Sequence, residues 1–153
     1  SATVTFVGQN TGAKHMERAV KATWKAASMA VFFMGFLGVA FFTFRRAAAG
    51  LFTSDSLIIA ATSNYILLVS LTYFFVALGV VTMSSFQGMG RGMPLLLMTT
   101  LRLFVIMLPL SYLLSVVMGF GATGIWAGIA IANIVVGIVE GIWFWRSTKK
   151  YTR

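Results

Sequence analysis

Long uncharged runs of apolar residues divide the chain, and short basic or glycine-rich stretches separate them. A helix needs about 20 predominantly apolar residues to cross the hydrocarbon core of a bilayer. Transmembrane strands would instead show alternating segments about ten residues long, and these runs are continuous. The pattern therefore predicts an all-α, polytopic transmembrane helix bundle. It has four full spans, at residues 26–44, 57–87, 93–119 and 125–145, and the end of a preceding helix at residues 1–13.

The segments outside the spans are short and basic. Residues 14–25 are predicted to form a loop at the cytoplasmic surface, with a short helix between His15 and Trp24, and residues 146–153 to form a cytoplasmic tail. The first residue is Ser1, and residues 2–7 lack the basic flank of a secretory signal peptide. We expect the chain to be a fragment of a longer protein. Residues 57–87 exceed the length that a bilayer requires, so that helix is expected to tilt or extend into the interface.

Composition narrows the class of protein further. Of all residues, 59% are hydrophobic and 10% are charged, whereas a soluble domain carries about 25% charged residues. A soluble globular enzyme and a disordered chain are both excluded. The chain has no cysteine and one histidine, His15, so a thiolate or multi-histidine metal site is excluded. Nothing in the sequence resembles a nucleophilic side chain with a neighbouring base. The sequence therefore predicts neither enzyme activity nor a cofactor.

The net charge of +9 could indicate nucleic-acid binding. The positions of the basic residues favour a bilayer instead, because membrane proteins concentrate Lys and Arg in their cytoplasmic connections. If the connections alternate sides, Arg45 and Arg46 lie on one side, with nine basic residues on the other: Lys14, Arg18, Lys21, Lys25, Arg91, Arg146, Lys149, Lys150 and Arg153. This asymmetry predicts a multi-pass protein of the plasma membrane with a cytoplasmic C-terminus and no nucleic-acid partner.

A polar segment near the start is the most specific local pattern. Gly8, Gln9, Asn10 and Gly12 follow an apolar stretch and precede the basic residues. Asn10 and Gly12 tolerate left-handed backbone geometry, so either can cap a helix. The alternative is a plain helix cap with a solvated basic loop and no further role.

Four stretches of the sequence, taken in order, resemble motifs of the multidrug and toxic compound extrusion (MATE) transporters. They cover nearly the whole chain. They are Val7–Ala13 with Arg18 and Ala19, similar to a motif at the cytoplasmic end of a helix in each lobe; Phe86–Arg91, similar to the loop after the tenth helix; Arg102 with Ile106 and Pro109–Tyr112, similar to the eleventh helix; and Gly121–Trp126 through Trp143–Trp145, similar to the twelfth.

The resemblance implies a twelve-helix transporter of two six-helix lobes, of which this chain is the end of helix eight and helices nine to twelve. The implied function is cation-coupled efflux of small organic, often cationic compounds, with the missing N-terminal lobe as partner. Some family members carry an acid in the tenth helix, and residues 65–87 contain none. The coupling ion, Na⁺ or H⁺, is therefore expected to bind outside this chain. Alternating access needs one lobe to move against another, so the chain alone should not transport.

Two alternatives stay open at this point. One is a related lipid-linked oligosaccharide flippase. The other is a small, non-transporting membrane interaction protein that oligomerises through the stripe of Gly124, Gly128 and Ala132. Small residues at four-residue spacing let helices approach closely. Gly137 and Gly141 repeat that spacing, and docking on another helix of the same molecule is the favoured interpretation.

Four polar side chains inside the predicted spans are candidates for a substrate path: Asn64, Tyr65, Tyr73 and Asn133. Polar groups at membrane depth are costly and often mark a pathway. The alternative for each is an interhelical hydrogen bond or an interfacial tyrosine.

Two further features concern the last two spans. Arg102 and Glu140 have opposite charges in otherwise apolar helices joined by a short turn, so the sequence predicts an intramembrane ion pair that latches the cytoplasmic gate. Alternatively, each snorkels to the interface, or Arg102 pairs with the missing lobe. Pro109 removes a backbone donor and is predicted to kink its helix, either as a hinge or as a static bend.

Overall fold

The computed structural model of the protein describes residues 2–151, and all the regular structure in that range is helical. Six helices follow one another: α1 (Ala2–Gly12), α2 (Met16–Gly50), α3 (Ser56–Ser70), α4 (Tyr73–Gly88), α5 (Met93–Val117) and α6 (Gly121–Thr148). A short 3₁₀ turn, Lys149–Tyr151, ends the described chain. The predicted all-α helix bundle is therefore confirmed. Ser1, Thr152 and Arg153, at the ends of the predicted helix end and tail, lie outside the described residues.

Three of these helices, α2, α5 and α6, are each long and apolar enough to cross a membrane. The pair α3 and α4 together makes a fourth candidate span, broken by a bend of 50°. The sequence predicts one continuous helix over residues 57–87, and that prediction is wrong. The Thr72 hydroxyl donates to the Val69 carbonyl at 2.8 Å and the Ser70 hydroxyl to the Leu67 carbonyl at 3.0 Å. Such side-chain bonds compete with the helix ladder and bend it.

The short helix predicted between His15 and Trp24 is present, but it is not set in a separate loop over residues 14–25, because it forms the first turns of α2, which runs from Met16 to Gly50. Its first turns are held by packing: Ala19, Val20 and Thr23 are fully buried. At 1.5 Å per residue α2 is about 52 Å long, which exceeds the thickness of a hydrocarbon core of about 30 Å. The predicted end of the span at residue 44 coincides with a local break, since Phe44 has non-helical backbone angles (φ −98°, ψ 15°).

Helix α5 is wound unusually on both sides of Pro109. Residues Leu101–Met107 and Leu113–Val117 form π-helical turns. The Leu108 amide, for example, donates to the Leu103 carbonyl, five residues back. Whether the helix axis also bends at Pro109 stays a prediction. The turn into α6 is made by Gly119 and Gly121, which have φ values of +76° and +55°, so α6 begins at Gly121 rather than at the predicted residue 125.

Aromatic packing joins α2, α4 and α6 near one end of the bundle. Phe86 and Phe144 are fully buried, with ring centroids 5.2 Å apart. Trp24 packs edge-on against Phe144 at 5.8 Å. These contacts bring the start of α2, the end of α4 and the end of α6 to one level. The basic segments flanking these three helix ends therefore lie at the same end of the bundle.

Candidate functional site

The predicted partners Arg102 and Glu140 meet between α5 and α6. One Arg102 terminal nitrogen, Nη2, donates to both carboxylate oxygens of Glu140, at 2.9 and 3.0 Å. The side chain of Glu140 is 3% exposed and that of Arg102 is 22% exposed. The pair therefore lies largely inside the protein, in helices that are otherwise apolar.

The absence of a side chain at Gly79 leaves room for this ion pair. Gly79 is buried in α4 and faces the Glu140 carboxylate. A Cβ at this position would overlap the Glu140 Oε2 atom and would lie 3.6 Å from the Arg102 Nη2 atom. The backbone of α4 thus forms the floor of the ion pair, so one interaction ties three helices together.

The Arg102 guanidinium has a buried nitrogen without a partner among the described residues. Its Nε atom is buried and makes no hydrogen bond within the described residues. Arg102 lies in the first π-helical stretch of α5. Single π turns occur often at functional sites, and an unmatched buried donor calls for an explanation. Arg102 therefore combines a buried donor without a partner among the described residues with the π-helical backbone of Leu101–Met107.

The small residues of α6 form two contact surfaces. A Cβ on Gly124 would lie 2.6 Å from the Leu114 backbone carbon in α5, and a Cβ on Gly128 would meet Ser111 of the same helix. Gly137 lies against the Phe75 backbone in α4. The stripe is therefore used inside this chain, as the sequence favours, and not left free for a second copy.

The structure does not gather the four predicted substrate-path residues. Tyr65 packs against Trp126, with ring centroids 5.8 Å apart, and Tyr73 packs against Phe41 at 6.3 Å. Asn64 is exposed and Asn133 is half-buried, and no described residue hydrogen-bonds to either amide side chain. No hydrogen bond or ring contact joins one of the four to another, and their role stays a prediction.

The predicted helix-end motif does end a helix, since α1 stops at Gly12, but the left-handed residue lies two residues further along the chain. The His15 amide donates to the Asn10 carbonyl at 2.8 Å, and the left-handed residue is Lys14, with φ +60°. The prediction that Asn10 or Gly12 adopts the left-handed cap is wrong, because both are still helical. The Asn10 side chain instead donates to the Phe6 carbonyl at 2.9 Å.

Gly8 has a tertiary role in the same motif. It faces Gly88 at the end of α4, where a Cβ on Gly8 would lie 3.4 Å from the Gly88 carbonyl oxygen. Gly88 is tighter, since a Cβ there would lie 2.7 Å from the Val4 carbonyl oxygen. Two of the motifs that the sequence singles out thus form one helix crossing. Gln9 is exposed.

Two residues that make contacts between helices, Gly79 and Thr23, were not identified from the sequence. Gly79 lies in a run of apolar residues without any periodic glycine pattern, so no local signal identifies it. Thr23 donates to the Ser85 hydroxyl at 3.0 Å, a fully buried bond between α2 and α4. The sequence contained only a weak indication of this bond. Serine and threonine hydroxyls commonly form hydrogen bonds between membrane helices, but their presence does not name the partner.

Comparison with known proteins gives a consistent picture. The family model described as MatE matches residues 1–113. An FAD transporter of Shewanella oneidensis is 28% identical over 138 residues, which are 90% of this chain and 30% of that protein. A probable multidrug resistance protein NorM of Thermotoga maritima is 24% identical over 148 residues, which are 97% of this chain and 32% of that protein.

Among solved structures, the chain is similar to the inward-facing conformation of a multidrug resistance MATE family transporter of the MOP superfamily. The TM-score is 0.88 at 25% identity, and the match covers 98% of this chain and 35% of that one. The chain thus spans about a third of the length of the relatives that it matches.

Proposed function

This chain belongs to the MATE family, and on that premise we propose that it forms the C-terminal part of the second lobe of a cation-coupled multidrug efflux antiporter. The whole protein would export small organic, often cationic compounds in exchange for Na⁺ or H⁺. The observation that supports this most directly is the fold, which matches a multidrug resistance transporter over 98% of this chain. The four ordered motifs support the assignment to the end of helix eight and helices nine to twelve.

The proposed orientation places the C-terminus in the cytoplasm of a plasma-membrane protein. The ring contacts among Trp24, Phe86 and Phe144 support it, because they bring the basic start of α2 and the basic end of α6 to one end of the bundle. Arg45 and Arg46 lie some twenty residues further along α2 than Trp24. The side richer in Lys and Arg is the cytoplasmic one in most membrane proteins.

A second substrate class has support from one relative. The Shewanella oneidensis protein that matches 90% of this chain is described as an FAD transporter. A flavin dinucleotide carries anionic phosphates, so its path would need the opposite polarity from a path for cationic drugs. Flavin export is therefore the alternative to multidrug efflux. A lipid-linked oligosaccharide flippase or a non-transporting interaction protein is less well supported, because the matched family model is MatE.

The test uses the full-length protein that contains this chain. It is expressed in cells without their main drug exporters, and efflux of a cationic dye is measured while Na⁺ and proton gradients are varied separately. Release of flavin into the medium is measured in parallel. Gradient-dependent dye efflux above the empty-vector control is the expected result. Flavin release without dye efflux would support the alternative substrate. The absence of both activities would refute the proposal. Residues 1–153 expressed alone should show no efflux.

We further propose that the Arg102–Glu140 pair is a latch that fixes α5 and α6 near the cytoplasmic gate. Arg102 lies about 13 Å along the helix from Met93, and Glu140 about 9 Å from Arg146, at 1.5 Å per residue. Both are measured from the end proposed to be cytoplasmic. The contact with Gly79 supports a role beyond pairwise attraction, because a shift of α5 relative to α6 would also disturb α4.

Charge exchange separates this latch from a contact that serves only folding. In the full-length protein, Arg102→Glu and Glu140→Arg should each lower the efflux rate per molecule at matched membrane protein levels, and the double exchange should restore it. If the single variants reduce only the amount of protein and leave the rate per molecule unchanged, the pair serves folding and the latch is refuted.

A further inference from the structure

The two halves of the broken span are held very differently. In α4, six residues are buried, among them Met83 and Phe86, each with 1% exposure. In α3, all of which the structure describes, the buried residues are Ser63 and Ser70, and no apolar residue is buried. A segment with few buried apolar contacts opens or moves at a low free-energy cost. The packing therefore indicates a fixed half, α4, and a loosely held half, α3.

Glycines of α6 fix α4 by close contact along the same direction of both helices. A Cβ on Gly137 would lie 2.5 Å from the Phe75 carbonyl oxygen, and a Cβ on Gly141 would lie 2.8 Å from the Leu78 side chain. The absence of side chains at these two positions lets α4 pack directly on the α6 backbone. A movement of α4 alone would break both contacts, so α4 and α6 form one unit.

The backbone between α3 and α4 departs from the regular helical ladder. The Thr72 amide donates to the Val69 carbonyl at 2.9 Å, and the Phe75 amide donates to the Thr72 carbonyl at 3.0 Å. Both bonds reach back three residues instead of four. The Thr72 hydroxyl also donates to the Val69 carbonyl, at 2.8 Å. Because such a hydroxyl bond competes with the ladder, its loss would favour a second, straighter arrangement of the same residues.

A glycine of α2 determines where the chain turns. A Cβ on Gly38 would lie 2.8 Å from the Ser70 carbonyl oxygen, so the turn packs closely on the α2 backbone. At the other end of α3, Leu57 is 80% exposed and Ile58 is 52% exposed. Helix α3 is therefore held at its junction with α4 and is progressively freer toward its start.

We propose that Ser70–Thr72 is a hinge about which α3 swings, while α4 stays fixed on α2 and α6. In the proposed orientation α3 lies at the end of the bundle opposite the cytoplasm, so its swing would open and close the substrate path at the outer face. Transporters alternate access by rocking or gating one structural unit against another. The gating role rests on the proposed transport function, whereas the hinge is a property of these helices.

The experiment measures distances between paired spin labels in the purified full-length transporter by double electron–electron resonance. Cysteines at Leu57 and Ile142 report α3 against α6, and cysteines at Val80 and Ile125 report α4 against α6. Spectra are recorded without additions, with ethidium, with Na⁺ and at acidic pH. Leu57 lies about 20 Å along α3 from Ser70, so a change of about 15° in the bend should move it by roughly 5 Å. The distance from Val80 to Ile125 should stay unchanged.

Two results would overturn the hinge. Equal changes in both label pairs would mean that the bundle moves as a whole, and an unchanged Leu57–Ile142 distance in every condition would mean that the bend is static. Ethidium efflux is measured separately in cells that express the same protein. A hinge that moves in a protein without efflux would refute the transport function and leave the hinge in place. Efflux with an unchanged distance would do the reverse.

Substitutions at the hinge test its physical cause. Thr72→Ala removes the hydroxyl bond and should shift the ratio of bent to straighter distances about fivefold toward the straighter one, the change that one ordinary hydrogen bond makes. Thr72→Ser keeps a hydroxyl and should retain the original ratio. The matched control is Thr148→Ala, since Thr148 is buried and donates to the Phe144 carbonyl within the uninterrupted α6. Equal shifts in Thr72→Ala and Thr148→Ala, or in Thr72→Ala and Thr72→Ser, would contradict the proposed cause.

Discussion

Two ion pairs in this chain join residues of the same chemical types in opposite surroundings. Lys21 and Glu17 lie one helical turn apart at the start of α2, with side chains 68% and 60% exposed. Arg102 and Glu140 lie on different helices, with side chains 22% and 3% exposed. The first pair connects a helix to itself, whereas the second connects α5 to α6 above the backbone of α4.

The difference teaches how burial changes the consequence of losing a charge. An exposed pair gains little, because water solvates either partner alone. A buried pair gains little net stability over an apolar replacement, yet removing one partner leaves a charge without compensation. The Arg102–Glu140 pair should therefore be sensitive to single substitutions, and the Lys21–Glu17 pair should not.

The largest expected effect comes from Arg102→Gln. This change leaves the buried Glu140 carboxylate without its cation, so the free energy of unfolding of the full-length protein should fall by about 3 kcal/mol. The measurement is unfolding by SDS in mixed detergent micelles. The matched control is Lys21→Gln, which removes the exposed cation. Similar losses for the two variants would contradict the distinction between the pairs.

An intermediate effect is expected from Gly79→Ala. The new methyl group would overlap the Glu140 carboxylate, and overpacking of this kind costs about 1–3 kcal/mol. Gly12→Ala is the control, since nothing lies within 4 Å of a Cβ there. In the background of Glu140→Ala the cost of Gly79→Ala should largely disappear, because contacting residues couple. An unchanged cost in that background would show that Gly79 supports the fold without supporting the pair.

The smallest effect is expected at the exposed pair. Glu17→Gln should change the free energy of unfolding by less than about 0.5 kcal/mol. The coupling energy of Glu17 and Lys21, from a double-mutant cycle, should vanish in 1 M salt, where the Debye length is about 3 Å. The coupling energy of Arg102 and Glu140 should persist in the same buffer. Loss of both couplings in high salt would mean that water reaches the second pair.

Much of the architecture could be predicted from the order of residues. The positions of the apolar runs predicted an all-α membrane protein, and the four ordered motifs predicted the family that the MatE match confirms. The Arg102–Glu140 contact was also accessible, because two opposite charges isolated in neighbouring apolar helices have few other ways to avoid exposure to lipid. These inferences succeed because the preference of a segment for lipid or water is a property of that segment.

Other features were decided by contacts between distant residues. The joining of residues 16–25 to the long apolar helix α2 follows from the burial of Ala19, Val20 and Thr23, which a basic stretch does not reveal. From the sequence alone, the helix could equally have run straight past Ser70 and Thr72. A hydroxyl that bonds back to a carbonyl of the preceding turn permits a bend without requiring one.

The sequence by itself determined which segments are apolar enough to cross a membrane, which end carries most of the positive charge and which charges within those segments must find partners. Tertiary structure alone decided that Gly79 lies beneath the Glu140 carboxylate and that the stripe of α6 divides between α5 and α4. Hydropathy and charge are local quantities that each residue carries with it. The fit of one backbone against another depends on where whole helices cross, and no single segment of the sequence contains that information.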